Sequence, residues 1–283
     1  MRLIDVHHLG RERVIGCWEI DRVLIDPGPT SSMENLIEQL DGEPPRALLL
    51  THIHLDHAGA TGAIVRRWPE TVVYVHELGA PHLVDPSKLL ASAERLYGED
   101  MERLWGEVVP VPECRLRTLQ GGEMVEGFRV AYTPGHASHH VSYLHEQSGR
   151  AFVGDVAGVQ IAREGLVLTP TPPPDIDLEA WNASLSQVAE WQPASLGITH
   201  FGAIDGVYEH LATVRDRLAA WATLARELDR PAFEAHVREE IAGVGDRELA
   251  AAYEQACPPE QQWLGLERYW RRRAEASAAA SGA

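Results

Sequence analysis

Thr51-His52-Ile53-His54-Leu55-Asp56-His57-Ala58-Gly59 contains three imidazoles and a carboxylate within six residues. The segment follows an apolar run, residues 46–50, that predicts a buried strand. A helix-compatible segment comes next and is ended by Pro69. Ligand sites in α/β sheets tend to lie at the carboxyl ends of strands, and His and Asp suit borderline divalent metals. The pattern therefore predicts a metal site rather than a polar turn that happens to be rich in histidine.

The spacing His52-x-His54-x-Asp56-His57 resembles the signature of the metallo-β-lactamase superfamily. The later parts of that signature are a His after a Pro-Gly turn, an Asp after an apolar strand and a His after another apolar strand. The chain supplies them in this order as Thr133-Pro134-Gly135-His136, Ala151-Phe152-Val153-Gly154-Asp155 and Leu196-Gly197-Ile198-Thr199-His200. The resemblance covers roughly residues 1–215.

The resemblance implies an α/β fold, the four-layer αββα metallo-β-lactamase sandwich. Residues 1–215 would form a metallo-β-lactamase-like catalytic domain, and residues 216–283 a helical C-terminal extension. Four helical segments beyond His200 carry several aromatic residues, which predicts that this extension packs on the core or on a second subunit. The last residues, 278–283, are expected to be a disordered tail.

The resemblance also implies a ligand set. Metal 1 would be held by His52, His54 and His136, metal 2 by Asp56, His57 and His200, and Asp155 would bridge the two. Asp26 and His140 match residues that stand behind the ligands and orient them, although Asp26 also fits a simple turn-forming role in Asp26-Pro27-Gly28-Pro29. Such a donor set suits two divalent ions, most readily Zn, with Fe or Mn as alternatives.

From these ligands we expect a binuclear metal-dependent hydrolase. Two metals about 3.5–4 Å apart can hold a water and lower its pKa toward ~7. The resulting metal-bridging hydroxide would attack an ester-like bond in a lactone, thioester or phosphoester, and Asp56 would be the catalytic residue that orients it. An iron-dependent persulfide dioxygenase-like oxidoreductase is the alternative. A Ser-His-Asp mechanism is weakly supported, because Ser138 lies near His139 and His140 but no G-x-S-x-G motif is present.

Composition restricts the possible partners. The net charge of −17 argues against nucleic acid, whose phosphates are bound by Lys and Arg patches, so we expect a small-molecule substrate. No apolar run approaches the length of a membrane span, and residues 1–5 do not resemble a signal peptide. The three cysteines are far apart, which is typical of reduced thiols and predicts a cytoplasmic protein. The C-terminal helices are also the surface through which we would expect a homodimer to form.

Three segments could cover the metal site. Residues 76–106 predict two helices separated by Asp85-Pro86-Ser87, the second running from Ser87 through Leu104, and they form either a lid or an amphipathic cover on the core. Residues 169–175 are rich in proline and predict a stiff loop, at the pocket rim or as a plain connector. The C-terminal helices are the third candidate.

Overall fold

The computed structural model describes residues 1–281 and the side chains of residues 1–279, and within this range twelve strands form two six-stranded sheets. The strands of the first sheet follow chain order: β1 (Arg2–Asp5), β2 (Gly16–Ile20), β3 (Val23–Ile25), β4 (Ala47–Leu49), β5 (Val72–His76) and β6 (Leu116–Leu119). The pairs β1–β2 and β2–β3 are antiparallel, and the pairs from β3 to β6 are parallel.

The second sheet also follows chain order, as β7 (Met124–Val125), β8 (Phe128–Tyr132), β9 (Val141–His145), β10 (Arg150–Phe152), β11 (Ser195–Ile198) and β12 (Gly202–Ile204). All of its pairs are antiparallel except β10–β11, which is parallel.

Parallel pairs require crossover connections, and these supply the outer helices. Along the described chain the helices are α1 (Met33–Gln39), α2 (Leu55–Ala58), α3 (Thr61–Arg67), α4 (Ala80–Val84), α5 (Ser87–Tyr97), α6 (Met101–Trp105), α7 (Leu178–Glu190), α8 (Val207–Glu227), α9 (Arg230–Ala242), α10 (Arg247–Ala256) and α11 (Pro259–Ser281). Helices α1 to α6 join the parallel strands of the first sheet, and α7 joins β10 to β11.

Strand periodicity divides the apolar side chains between two cores. Val23 and Ile25 of β3 lie between the sheets, where they join Phe128 and Tyr143 of the second sheet. Leu24 points to the opposite face and belongs to the cluster that also contains the helix residues. Because each sheet buries both faces, the predicted four-layer αββα sandwich is confirmed.

The C-terminal helices share the main hydrophobic core. The boundary expected between residues 215 and 216 falls inside α8, and Trp221 and Phe233 are fully buried in the same cluster as Leu211. Helix α11 packs on α8 and α9. It continues to Ser281 across part of the tail that was expected to be disordered, and residues 282–283 of that tail lie outside the described residues.

The helix expected from Ser87 through Leu104 is wrong in its length. Helix α5 ends at Tyr97 because Gly98 adopts φ +52, in the left-handed region that favours glycine. A short 3-10 turn then leads into α6.

Of the helices in residues 1–281, none has both the length and the apolar character needed to cross a membrane.

Removing the Phe128 ring tests the core between the sheets. Phe128 is fully buried and lies edge-on to Tyr143 and Phe152, so Phe128→Ala should lower the free energy of unfolding by about 3–5 kcal/mol. Urea denaturation measures this. Met124→Ala, at an exposed neighbouring strand position, should change it by no more than about 0.5 kcal/mol. Equal effects of the two substitutions would contradict this core assignment.

Candidate metal centre

The local backbone after β4 directs the predicted ligands to two points. His52 and His54 lie on non-helical backbone, with His54 at φ −59 and ψ 151, immediately before α2 begins at Leu55. Asp56 and His57 lie within α2 itself. This change from extended to helical backbone splays side chains that are adjacent in sequence.

The first group of ligand atoms contains three imidazoles from two distant segments. His54 Nδ1 lies 3.0 Å from His52 Nε2 and 3.0 Å from His136 Nε2. His136 follows β8 and comes from the second sheet, so this group joins the two sheets. All three atoms lie within 4.8 Å of one another, a separation that a single cation can span.

The second group contains Asp56, His57 and His200, and Asp155 lies between the two groups. His200 Nε2 is 3.4 Å from Asp56 Oδ2, and His57 Nε2 is 3.9 Å from the same oxygen. Asp155 Oδ1 lies 3.1 Å from His57 Nε2, whereas its Oδ2 lies 3.4 Å from His136 Nε2. The structure therefore brings together all seven predicted ligands, and it places one oxygen of Asp155 beside each group.

Hydrogen bonds on the outer edges of the rings orient four of the five imidazoles. His136 Nδ1 lies 2.8 Å from the Pro170 carbonyl, and His200 Nδ1 lies 2.6 Å from the Val14 carbonyl. A carbonyl only accepts, so both Nδ1 atoms carry the proton and both Nε2 lone pairs face the centre. His52 and His57 are oriented in the same way through Thr51 and Asp26.

Asp26 accepts the hydrogen bonds that orient His52 and His57. Its carboxylate accepts hydrogen bonds from Thr51 N (2.8 Å), Thr51 Oγ1 (2.7 Å), Thr199 Oγ1 (3.0 Å) and His57 Nδ1 (2.8 Å). Because the Thr51 hydroxyl donates to Asp26, it accepts from His52 Nδ1 at 3.1 Å. Asp26 thus fixes two of the predicted ligands by hydrogen bonds, which a turn-forming role alone would not require.

Several inward-facing atoms lack the partners that buried polar atoms normally have. His57 Nε2, His200 Nε2 and Asp155 Oδ1 are buried and make no well-aligned hydrogen bond among residues 1–279, although His57 Nε2 and Asp155 Oδ1 lie 3.1 Å apart. Each such atom costs about 1–3 kcal/mol unless something binds it. Imidazole and carboxylate atoms that converge without partners fit divalent cations, and two groups that share Asp155 fit two of them.

Burial and charge act differently on the two groups. Burial and the neighbouring imidazoles hold the pKa of His52 well below its usual range, and burial and His136 lower the pKa of His54 to about 4. Burial opposes protonation of His57 as well, but the Asp155, Asp26 and Asp56 carboxylates outweigh it and raise the pKa of His57 well above its ordinary value. The first group is therefore neutral, the form that binds metal, and at the second group metal competes with protons.

His140 contacts the centre by stacking. Its ring lies 5.2 Å from the His52 ring at 27°, and its Nδ1 pairs with Thr133 Oγ1 at 3.0 Å. Gly154 packs closely against Thr51, since a Cβ at this position would lie 2.5 Å from Thr51 Oγ1. The φ of Gly154 is +45, which also favours glycine. His140 therefore restricts the position of His52 through ring contact, without a hydrogen bond to a ligand.

A cavity of about 300 Å³ opens directly above the ligands. Its floor includes His54, Asp56 and Asp155. Its walls come from residues 78–97, the proline-rich loop at residues 170–175 and the C-terminal residues 256–262. All three segments considered as possible covers therefore line the same cavity.

The sequence interpretation missed several residues of that cavity. His139, which sequence reasoning considered only beside Ser138, is buried in the lining, and its Nδ1 has no hydrogen-bond partner within the described side chains. Tyr97 and Gln261 approach each other from opposite walls, at 3.4 Å between Tyr97 Oη and Gln261 Oε1. The helical spacing of apolar residues in α5 indicated which face is buried. No sequence signal paired Tyr97 with Gln261, which lies 164 residues away.

Comparison with known proteins agrees with this geometry. The family model described as the metallo-beta-lactamase superfamily matches residues 19–194, more than half of the chain. The chain belongs to this superfamily.

Three proteins of the superfamily illustrate what this chain is similar to. The metallo-beta-lactamase fold-containing protein ST1585 of Sulfurisphaera tokodaii is 31% identical over 206 residues, which cover 69% of this chain and 75% of that protein. Its crystal structure has a TM-score of 0.62, covering 78% of this chain and 85% of that one. TTHA1623, solved in a di-iron-bound form, is 27% identical with a TM-score of 0.52, covering 70% and 91%. A hydroxyacylglutathione hydrolase of Legionella pneumophila is 27% identical over 46% of this chain and 41% of its own length.

Asp26→Asn tests the role of the buried carboxylate. The substitution places an amide NH₂ among groups that all donate to Asp26, so His52 and His57 lose their orientation. We expect the affinity for a divalent metal to fall by about 10–100-fold, measured by competition with a chromogenic chelator. Asp205→Asn, at an exposed ion pair with Arg163, is the control and should bind as the unmodified protein does. Unchanged affinity in Asp26→Asn would overturn this role.

Proposed function

We propose that this chain is a binuclear metal-dependent hydrolase that cleaves an ester-like bond. The observation that carries the proposal is the pair of ligand groups that share Asp155 at the floor of a cavity. A solvent-accessible pocket beside convergent ligands is the arrangement that a metal-assisted hydrolysis requires.

The ions proposed for this site are zinc first, with iron or manganese as alternatives. His52, His54 and His136 would hold one ion, Asp56, His57 and His200 the other, and Asp155 both. A set rich in imidazole suits Zn²⁺, but the same donors bind iron and manganese. The di-iron form of TTHA1623 supports keeping iron among the candidates.

Two such ions, when bound, would act as Lewis acids and lower the pKa of a bound water to about 7. Asp56 has part of its side chain exposed to the cavity, and its carboxylate is buried enough that desolvation alone would raise its pKa. His57 and His200 reverse that effect and hold the pKa well below its usual range. Asp56 therefore stays ionised and orients a water or substrate hydroxyl by accepting a hydrogen bond.

The cavity lining favours a carboxylic ester or lactone with an apolar group. Leucine, isoleucine, alanine and proline make up half of the lining residues. Among the lining residues, Lys88 is the one lysine or arginine, and its side chain is exposed. A phosphoester is usually bound by several cationic side chains, and this lining supplies one lysine and no arginine.

A serine nucleophile has little support here. Ser138 Oγ donates to Asp175 Oδ2 at 2.5 Å, so its proton is held by a carboxylate rather than by an imidazole. A histidine base within hydrogen-bond reach is what activates serine in such enzymes.

Hydrolysis of a substrate panel tests the proposal. The panel contains aryl esters of increasing acyl length, lactones, thioesters and phosphodiesters, assayed with the zinc-loaded protein. We expect hydrolysis of esters or lactones. Each added methylene should contribute about 0.8 kcal/mol of apolar burial and so raise kcat/KM about 4-fold, until the cavity is full. Asp56→Asn and His57→Ala should lower kcat/KM by about 10²–10⁴-fold and remain folded by circular dichroism.

The control for these variants is Asp205→Asn, which is exposed and lies outside the cavity lining. Full activity in both Asp56→Asn and His57→Ala would overturn the assignment. A strict iron requirement with oxygen uptake and no hydrolysis would instead support the iron-dependent oxidoreductase.

Two further expectations stand as proposals. The free cysteines, of which Cys17 and Cys257 are buried, support a reducing compartment such as the cytoplasm. A homodimer through the C-terminal helices stays a prediction, and the aromatic rings of Trp221, Phe233 and Tyr253 in that region are already buried within this chain.

A further inference from the structure

The orientation of His136 depends on one carbonyl of the proline-rich loop. His136 Nδ1 donates to the Pro170 oxygen at 2.8 Å, which leaves Nε2 facing His54 and Asp155. The Trp181 ring, edge-on at 5.5 Å, restricts the imidazole from another side but accepts no hydrogen bond from it. The position of Pro170 therefore sets the angle at which His136 approaches the metal site.

The loop has few means of fixing its own position. Residues 169–175 are Thr-Pro-Thr-Pro-Pro-Pro-Asp, so only three of these seven residues have a backbone N–H. Thr171 N–H, next to Pro170, donates to the side-chain oxygen of Gln262 on α11. Thr171 Oγ1 lies 3.1 Å from the Gln262 carbonyl and 3.2 Å from its Oε1.

Gln262 is itself held in place by burial and a hydrogen bond. The residue is 1% exposed, and its Nε2 donates to the Pro258 carbonyl at 2.9 Å. One turn further along α11, a Cβ at Gly265 would lie 2.0 Å from the Thr171 carbonyl oxygen. Helix α11 therefore touches the loop backbone directly, at a distance that only glycine permits.

We propose that Gln262 is a positioning residue for the metal ligand His136, acting through Thr171 and Pro170. The residue lies in the C-terminal helical region, beyond residues 19–194 that the superfamily model matches. Its amide supplies the hydrogen bonds that the proline-rich loop cannot make with itself. The C-terminal helices thus complete the geometry of the first ligand group in addition to lining the cavity.

Metal titration of Gln262→Met tests this role, because methionine keeps the volume and removes the amide. We expect the dissociation constant of the site that contains His136 to rise by at least about 10-fold, with the constant of the Asp56–His57–His200 site unchanged. Titration of the metal-free full chain with Co²⁺, followed by its visible spectrum, measures both constants. His136→Ala shows which constant belongs to the first site.

Three more variants separate positioning from general loosening. Gly265→Ala pushes the same loop with Gln262 intact and should weaken the same site. Gln262→Glu retains an acceptor oxygen for Thr171 but loses the donor to the Pro258 carbonyl, so its affinity should lie between those of Gln262→Met and the unmodified chain. Trp270→Phe removes the bond from α11 to the Ala222 carbonyl, away from the loop, and should leave both constants unchanged.

The outcomes also separate this inference from the binuclear centre on which it rests. An unmodified chain that binds no Co²⁺ would overturn the proposed function. If the unmodified chain binds Co²⁺ and Gln262→Met and Gly265→Ala bind it equally well at both sites, the positioning role is overturned and the centre remains. Equal weakening of both sites, or the same weakening in Trp270→Phe, would also overturn it.

Discussion

A single buried carboxylate connects the fold to the candidate chemistry. Asp26 follows β3, and its side chain receives donors from the end of β4, from the end of β11 and from α2. These donors belong to both sheets, so the carboxylate fixes the sheets relative to each other at the edge where the ligands lie. The interaction stabilises the packing of the two sheets and also orients His52 and His57.

The rest of the centre follows from the same constraint. Close approach of the sheets brings Gly154 against Thr51, which places Asp155 between the two ligand groups. His57 Nε2 and His200 Nε2 are then left without a well-aligned hydrogen bond, and this cost is offset when cations bind. The site is therefore assembled from buried polar atoms whose arrangement fits the binding of cations.

The sequence predicts the parts of this account that depend on local patterns. The His52-to-His57 cluster follows an apolar strand, and the resemblance supplied the later ligands in their order. Sequence reasoning could not find the break at Gly98, because an isolated glycine within a helical pattern is compatible with a continuous helix. Nor could it pair Tyr97 with Gln261 or Thr171 with Gln262, since those contacts depend on how α11 packs on the described core.

Elemental analysis of the full chain, purified without added metal, tests the central claim most directly. The claim is that seven converging side chains form two cation sites that share Asp155. It predicts about two divalent metal ions per chain and a lower content in Asp26→Asn. A chain that retains no metal, even after reconstitution with zinc, iron or manganese, would contradict the claim and leave the converging histidines without a function.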